Sequence, residues 1–168
     1  MKPEKLITIK RELSGRSVHE LTDLCLRLAK YKKENKELLN YLLFDADDPL
    51  MYAGQVKVFL EDDFKTLQKH SYYSTKSLRK ILRIINRHAK YTASKTVELE
   101  LLIWFCNNFL TYADTKSSHK PLHAIFTRQF QKIQNLIPKL HEDLAFDYQN
   151  ECNQLVDGAR KQLRWFDK

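Results

Sequence analysis

Glycine and proline are scarce in this chain, at 3 Gly and 4 Pro among 168 residues. A fold of many short strands joined by tight turns needs more of both, because glycine supplies positive φ and proline presets turn geometry; the scarcity excludes most all-β architectures and leaves all-α as the natural class. Cysteine is also sparse. Cys25, Cys106 and Cys152 are odd in number, far apart and set in apolar helical contexts, a pattern that predicts buried free thiols in a reducing compartment and no disulfide framework. Long apolar runs are missing as well: the longest uncharged one, Leu101 to Cys106, is too short to span a bilayer. The opening residues MKPEKLITIKREL carry charges every few positions, unlike the apolar segment of a signal peptide. The expectation is a cytoplasmic protein without a membrane partner.

Several chemistries are absent at the level of motif. There is no glycine-rich loop to cradle a phosphate, no strand–turn–helix elbow around a serine and no CxxC pair. The best metal candidates are His119 and His123 at i and i+4, with His141, Glu142 and Asp143 further on. Zinc or iron needs three or four converging ligands, and the Glu-x-x-His motif of di-iron bundles is missing, so no metal and no cofactor is expected. Cys106 beside Trp104 and Asn107 invites a nucleophile reading, but a reactive thiolate needs an electropositive, accessible setting, and this one lies in the most apolar segment of the chain. No catalytic residue is assigned, and the expectation is a protein that is not an enzyme.

What is present is charge, unevenly placed. The formal net charge is +8. Of 29 basic residues, nine fall between Phe64 and Val97, a stretch with no Asp or Glu, which leaves 20 basic against 21 acidic residues elsewhere. Charge confined to one segment points to a site, whereas a uniform excess would point only to solubility.

Within that stretch, Ser74 to Tyr91 (STKSLRKILRIINRHAKY) reads as an amphipathic helix. At about 100° per residue, Leu78, Ile81, Leu82, Ile85 and Ala89 form one face while Lys76, Arg79, Lys80, Arg83, Arg87 and Lys90 gather on the other. These six basic residues are the candidate site. A solvated helix face normally interleaves Glu with Lys, but here the pairs 76/80, 79/83, 83/87, 76/79, 80/83 and 87/90 are all like-charged. At about 0.2 to 0.5 kcal/mol per pair they disfavour the isolated helix by 1 to 3 kcal/mol in total. Compensation has two sources. Glu61-Asp62-Asp63, Glu98 and Glu100, or Glu142, Asp143 and Asp147 can lie beside the stripe and neutralise it from within. Alternatively an anionic partner does so, most simply a nucleic-acid backbone meeting cations along about 20 Å of helix, with Tyr72, Tyr73 and Tyr91 near its ends as stacking groups. An acidic protein would serve equally well.

The rest of the chain supplies a helical frame. Residues 1–16 read as a flexible or extended arm, and residues 17–168 as a single helical domain, an antiparallel bundle of five to seven helices. Ser17 and Glu20 have capping-box spacing ahead of Leu21, Leu24, Cys25 and Leu28. Lys32 to Lys36 reads as a polar break, and a short helix then ends near Asp45. Asp48-Pro49 is a start signal for a third helix reaching about His70, followed by a break at Ser71 to Ser74. Val97 to Leu110 is apolar on nearly all sides and should be the central buried element. Lys120-Pro121 opens a last region with an apolar stripe from Phe126 to Phe166 that Pro138 should break or kink. The stripe packs along the bundle or serves a homodimer. A faint echo between Ala29-Lys30-Tyr31 and Ala89-Lys90-Tyr91 leaves a short α–α superhelix as the alternative architecture. The competing functional class is accordingly a protein-interaction scaffold or homodimer whose basic stripe is neutralised internally.

The segments LCLRLAKYKKENKELLNYLLF, KSLRKIL and HEDLAFDY resemble a family of uncharacterised bacterial all-helical proteins. The resemblance covers most of the chain and implies the fold; it implies no activity, cofactor or partner.

Overall fold

In the computed structural model, which describes residues 2–166, eight α-helices hold most of those residues, and no strand occurs among them. The helices are α1 (Leu6–Ser14), α2 (Val18–Tyr31), α3 (Lys33–Asn40), α4 (Pro49–Lys65), α5 (Ser71–Thr92), α6 (Lys95–Tyr112), α7 (Lys120–Leu136) and α8 (Glu142–Gln162). A π-helical turn, Tyr41–Asp45, continues α3, and a 3-10 turn, Ile137–Lys139, follows α7. The protein is all-α. The expected five to seven helices become eight because residues 6–14, expected to be extended or flexible, are helical as α1. Ile7 and Ile9 mimic strand alternation there, but Leu6, Ile9 and Leu13 keep the three- and four-residue spacing of a helix face.

The helices group into two compact units, one ending at Asp45 and the other beginning at Ala46. The expected boundary after residue 16 is not where the structure divides. In the first unit α2 and α3 form a hairpin joined by Lys32 alone, whose extended backbone (φ −144°, ψ 147°) separates the two helices. Asn35 Nδ2 donates to Leu28 O at 2.9 Å across the junction. Ser17 and Glu20 form the expected capping box: the Glu20 amide donates to Ser17 Oγ and the Ser17 amide to the Glu20 carboxylate. With Arg16 alongside, these hydrogen bonds hold the Glu20 carboxyl down to about 2.

The second unit is built around α6. Its Val97, Leu99, Leu101, Leu102, Ile103, Phe105, Cys106, Phe109 and Leu110 are buried, because α4, α5, α7 and α8 all pack on it. Aromatic rings fill the layers between them: Phe64 lies 5.6 Å from Phe105 and edge-on to the half-buried Trp104 at 5.2 Å, and Phe109 lies 5.2 Å from Phe126. Local signals place the helix starts. Asp48 Oδ1 accepts from the Met51 amide at 2.9 Å with Pro49 in the first turn, and Ser94 caps α6 through the Val97 amide at 3.3 Å. Ala93 turns the chain between α5 and α6 in the left-handed region (φ 50°), where glycine is the usual residue. Pro138 breaks the last region, as its missing donor and ring require.

The stripe considered for dimerisation is largely spent inside this unit: Phe126, Phe130, Ile133, Tyr148, Cys152, Leu155, Ala159 and Leu163 are buried. No helix among the described residues is long and apolar enough to cross a membrane.

The three thiols do not share one environment. Cys106 and Cys152 are buried as expected, and burial pushes both thiols up from their ordinary value. Cys25 is exposed, because the first unit is too small to enclose it. In the folded protein Cys25 alone should react with a thiol reagent within minutes, and Cys106 and Cys152 should follow only on unfolding. Fast labelling of more than one thiol in the native protein would contradict the burial of α6 and α8.

Candidate polyanion interface

Helix α5 presents its apolar face to the core and its basic face to solvent. Leu78, Ile81, Leu82, Ile85 and Ala89 are buried against α4, α6 and α7. Lys76, Arg79, Lys80, Arg83 and Lys90 are exposed, and Arg87 is half-buried. The six predicted residues therefore do share one side of one helix. Arg79, Arg83, Arg87 and Lys90 also line a shallow groove of about 500 Å³ with Leu82 and Asn86.

Five of the eight carboxylates that offered internal neutralisation pair with groups outside the stripe. Glu98 pairs with Lys132 at 2.5 Å, and Lys132 also donates to Asn86 Oδ1 at 3.1 Å. Glu100 is held between Lys57 Nζ at 2.6 Å and the Tyr148 hydroxyl, which donates to it at 2.8 Å. Glu61 and Asp62 pair with Lys65 on their own helix, at 2.9 and 3.6 Å. Asp143 lies 3.6 Å from His141. Asp63 reaches the stripe, 3.3 Å from Lys80, as an exposed pair worth less than about 1 kcal/mol. Lys76, Arg79, Arg83 and Lys90 have no carboxylate partner among the described residues.

Tyr72 and Tyr73 are placed differently from the sequence expectation. The break after α4 lies at residues 66–70, and α5 begins at Ser71 with His70 as its N-cap, Nδ1 accepting from the Tyr72 amide at 3.3 Å. Both tyrosines stand in the first turn of the helix, exposed, with rings edge to face at 5.4 Å. Helical periodicity then puts Tyr72, Lys76, Arg79, Arg83 and Lys90 within about 60° of one another around α5. The signal missed in the sequence was His70, which caps a helix less often than Ser, Thr, Asp or Asn. Tyr91 is half-buried, its ring 5.4 Å from that of His88.

Comparison with protein families, curated proteins and solved structures finds no match.

The histidines considered as metal ligands are dispersed. His123 stacks on Trp165 with ring centroids 4.1 Å apart and planes at 16°, and its Nε2 lies 2.6 Å from Ser117 O. His119 stands at the N-cap of α7, and His141 is exposed at that of α8. Among the described residues no group of three or more His, Cys, Asp or Glu is placed to hold a metal ion.

Proposed function

We propose that the protein is a non-enzymatic helical binding module whose α5 strip holds the phosphate backbone of a nucleic acid. The observation that carries this reading is the alignment of the exposed Tyr72 with Lys76, Arg79, Arg83 and Lys90, four cations without a carboxylate partner among the described residues. The four cations run about 20 Å along the helix, the axial rise of about six nucleotides on one strand. Cations along a helix serve any polyanion, including an acidic protein. An exposed aromatic ring in line with them adds what a nucleic acid uses and a carboxylate-rich surface does not, a flat face for a base. Phosphate contacts and stacking carry little sequence information, so binding should be nearly independent of sequence.

Binding measured by fluorescence anisotropy across about 50 to 200 mM salt tests the reading. Four phosphate contacts give a slope of log affinity against log salt of about −3 for a single strand and about −4 for a duplex. Absence of binding at the lowest salt, or an affinity indifferent to salt, would end the nucleic-acid reading.

A further inference from the structure

Apart from Tyr41, the first unit leaves its apolar side chains exposed or only half-buried. No residue of α1, α2 or α3 is buried. Leu26, Leu43 and Phe44 are 48%, 63% and 75% exposed, values ordinary for single surface residues but not for neighbours on one surface. These three residues, with Ala29, Leu39 and Asn40, line an open groove of about 590 Å³ along the α2–α3 hairpin. Its other walls are Lys30, Lys32, Lys33 and Lys36. Lys33 is 3.6 Å from Glu37, whereas Lys30, Lys32 and Lys36 have no carboxylate partner among the described residues.

We infer that this groove is a docking site for an amphipathic α-helix of a partner protein, with Leu, Ile or Phe on its inserted face and Asp or Glu flanking that face. Two adjacent helices leave a furrow between their side-chain ridges, and a third helix fills it with anchors at i, i+3 or i+4, and i+7. The lysines on the walls select the charge of the flanks. They also argue against a second copy of the same groove, since self-association would set one lysine wall against another. Helix α1 of a second copy is no better, because Lys10 borders its face of Leu6, Ile9 and Leu13 with charge of the same sign as the groove's lysines. A bilayer surface would favour a protruding apolar face, whereas this one is a furrow. Every residue of the groove lies between Leu26 and Phe44, within the first unit.

The test uses the full chain carrying Arg79→Glu and Arg83→Glu, so that α5 does not capture the probe. The probe is a labelled peptide of about 18 residues, five helical turns, with leucine at i, i+3, i+4 and i+7 and glutamate elsewhere. Saturable binding is expected, weakened about tenfold or more by Leu43→Ser with Phe44→Ser, and also by Lys30→Glu with Lys36→Glu. Both pairs are surface changes that leave the helices intact, as circular dichroism should show. A counterpart peptide with lysine in place of glutamate should bind at least about tenfold more weakly. The inference is overturned if the acidic peptide fails to bind, if either pair of substitutions leaves its affinity unchanged, or if the basic peptide binds equally well. It is also overturned if the groove variants abolish self-association in sedimentation, or binding to phosphatidylglycerol vesicles, while leaving peptide affinity untouched.

Discussion

Replacing Lys76, Arg79 and Arg83 together by glutamate is expected to abolish nucleic-acid binding and leave the fold at least as stable. The three side chains are exposed and belong to the face of α5 opposite Leu78, Ile81, Leu82 and Ile85, so no core contact changes. Arg87 is left in place because it is half-buried in the groove wall, where a carboxylate would test packing as well as charge. Three lost charge-assisted contacts at about 1 kcal/mol or more each lower affinity by on the order of 100-fold before any repulsion is counted, and the salt slope should collapse toward −1. Stability should hold or rise. Of the six like-charge pairs on α5, those at 76/80, 80/83 and 83/87 become attractive, those at 76/79 and 79/83 stay repulsive, and 87/90 is unchanged. Glutamate at position 76 also stands near the positive end of the helix dipole. An internally neutralised stripe would behave in the opposite way, with a melting temperature several degrees lower and no binding to lose. Anisotropy beside a thermal melt of the same variant separates the two outcomes.

Phe126→Ala is expected to be the most damaging single substitution in the core. Phe126 is fully buried, with its ring 5.2 Å from Phe109, 6.3 Å from Phe130, 6.1 Å from Trp165 and 5.7 Å from Phe166. Truncation removes the transfer free energy of the ring and leaves a cavity that four other rings cannot collapse into without losing their own edge contacts. A cost of about 3 to 5 kcal/mol follows. In a unit of this size that lowers the melting temperature by roughly 10 to 20 °C. The matching change at Phe44, 75% exposed, should cost no more than about 0.5 kcal/mol. Equal losses at the two positions, followed by circular dichroism during heating, would overturn the assignment of the core to α6 and its neighbours.

Helix starts were legible wherever one residue both caps and announces the helix. Ser17 with Glu20 and Asp48 with Pro49 each satisfy amide groups within three residues of themselves, so their effect is independent of the rest of the chain. The end of α4 and the start of α5 were not legible in the same way. His70 is a weaker cap than these, and Ser71 to Ser74 looks like a turn until Ser74 and Thr75 are seen to be buried against neighbouring helices. The pattern of Ser71 to Ser74 therefore reads as a loop, which hides that Tyr72 stands in line with the cations. Cys25 is exposed against its apolar spacing, because spacing shows which side of a helix a residue occupies and says nothing about whether anything covers that side.

The sequence by itself determined the helical class, the burial of α6 and the gathering of Lys76, Arg79, Lys80, Arg83, Arg87 and Lys90 on one face, because each depends on periodicity within a single segment. The tertiary structure alone decided whether that charge is answered. Glu98 finds Lys132 on α7, and Glu100 finds Lys57 on α4 and Tyr148 on α8, partners 34, 43 and 48 positions away. Pairings across such distances are set by which helices pack together, and no local pattern encodes them. The same holds for the hairpin of α2 and α3. Its amphipathic spacing announces that an apolar face exists, but only the packed structure shows that Leu26, Leu43 and Phe44 stay exposed on it.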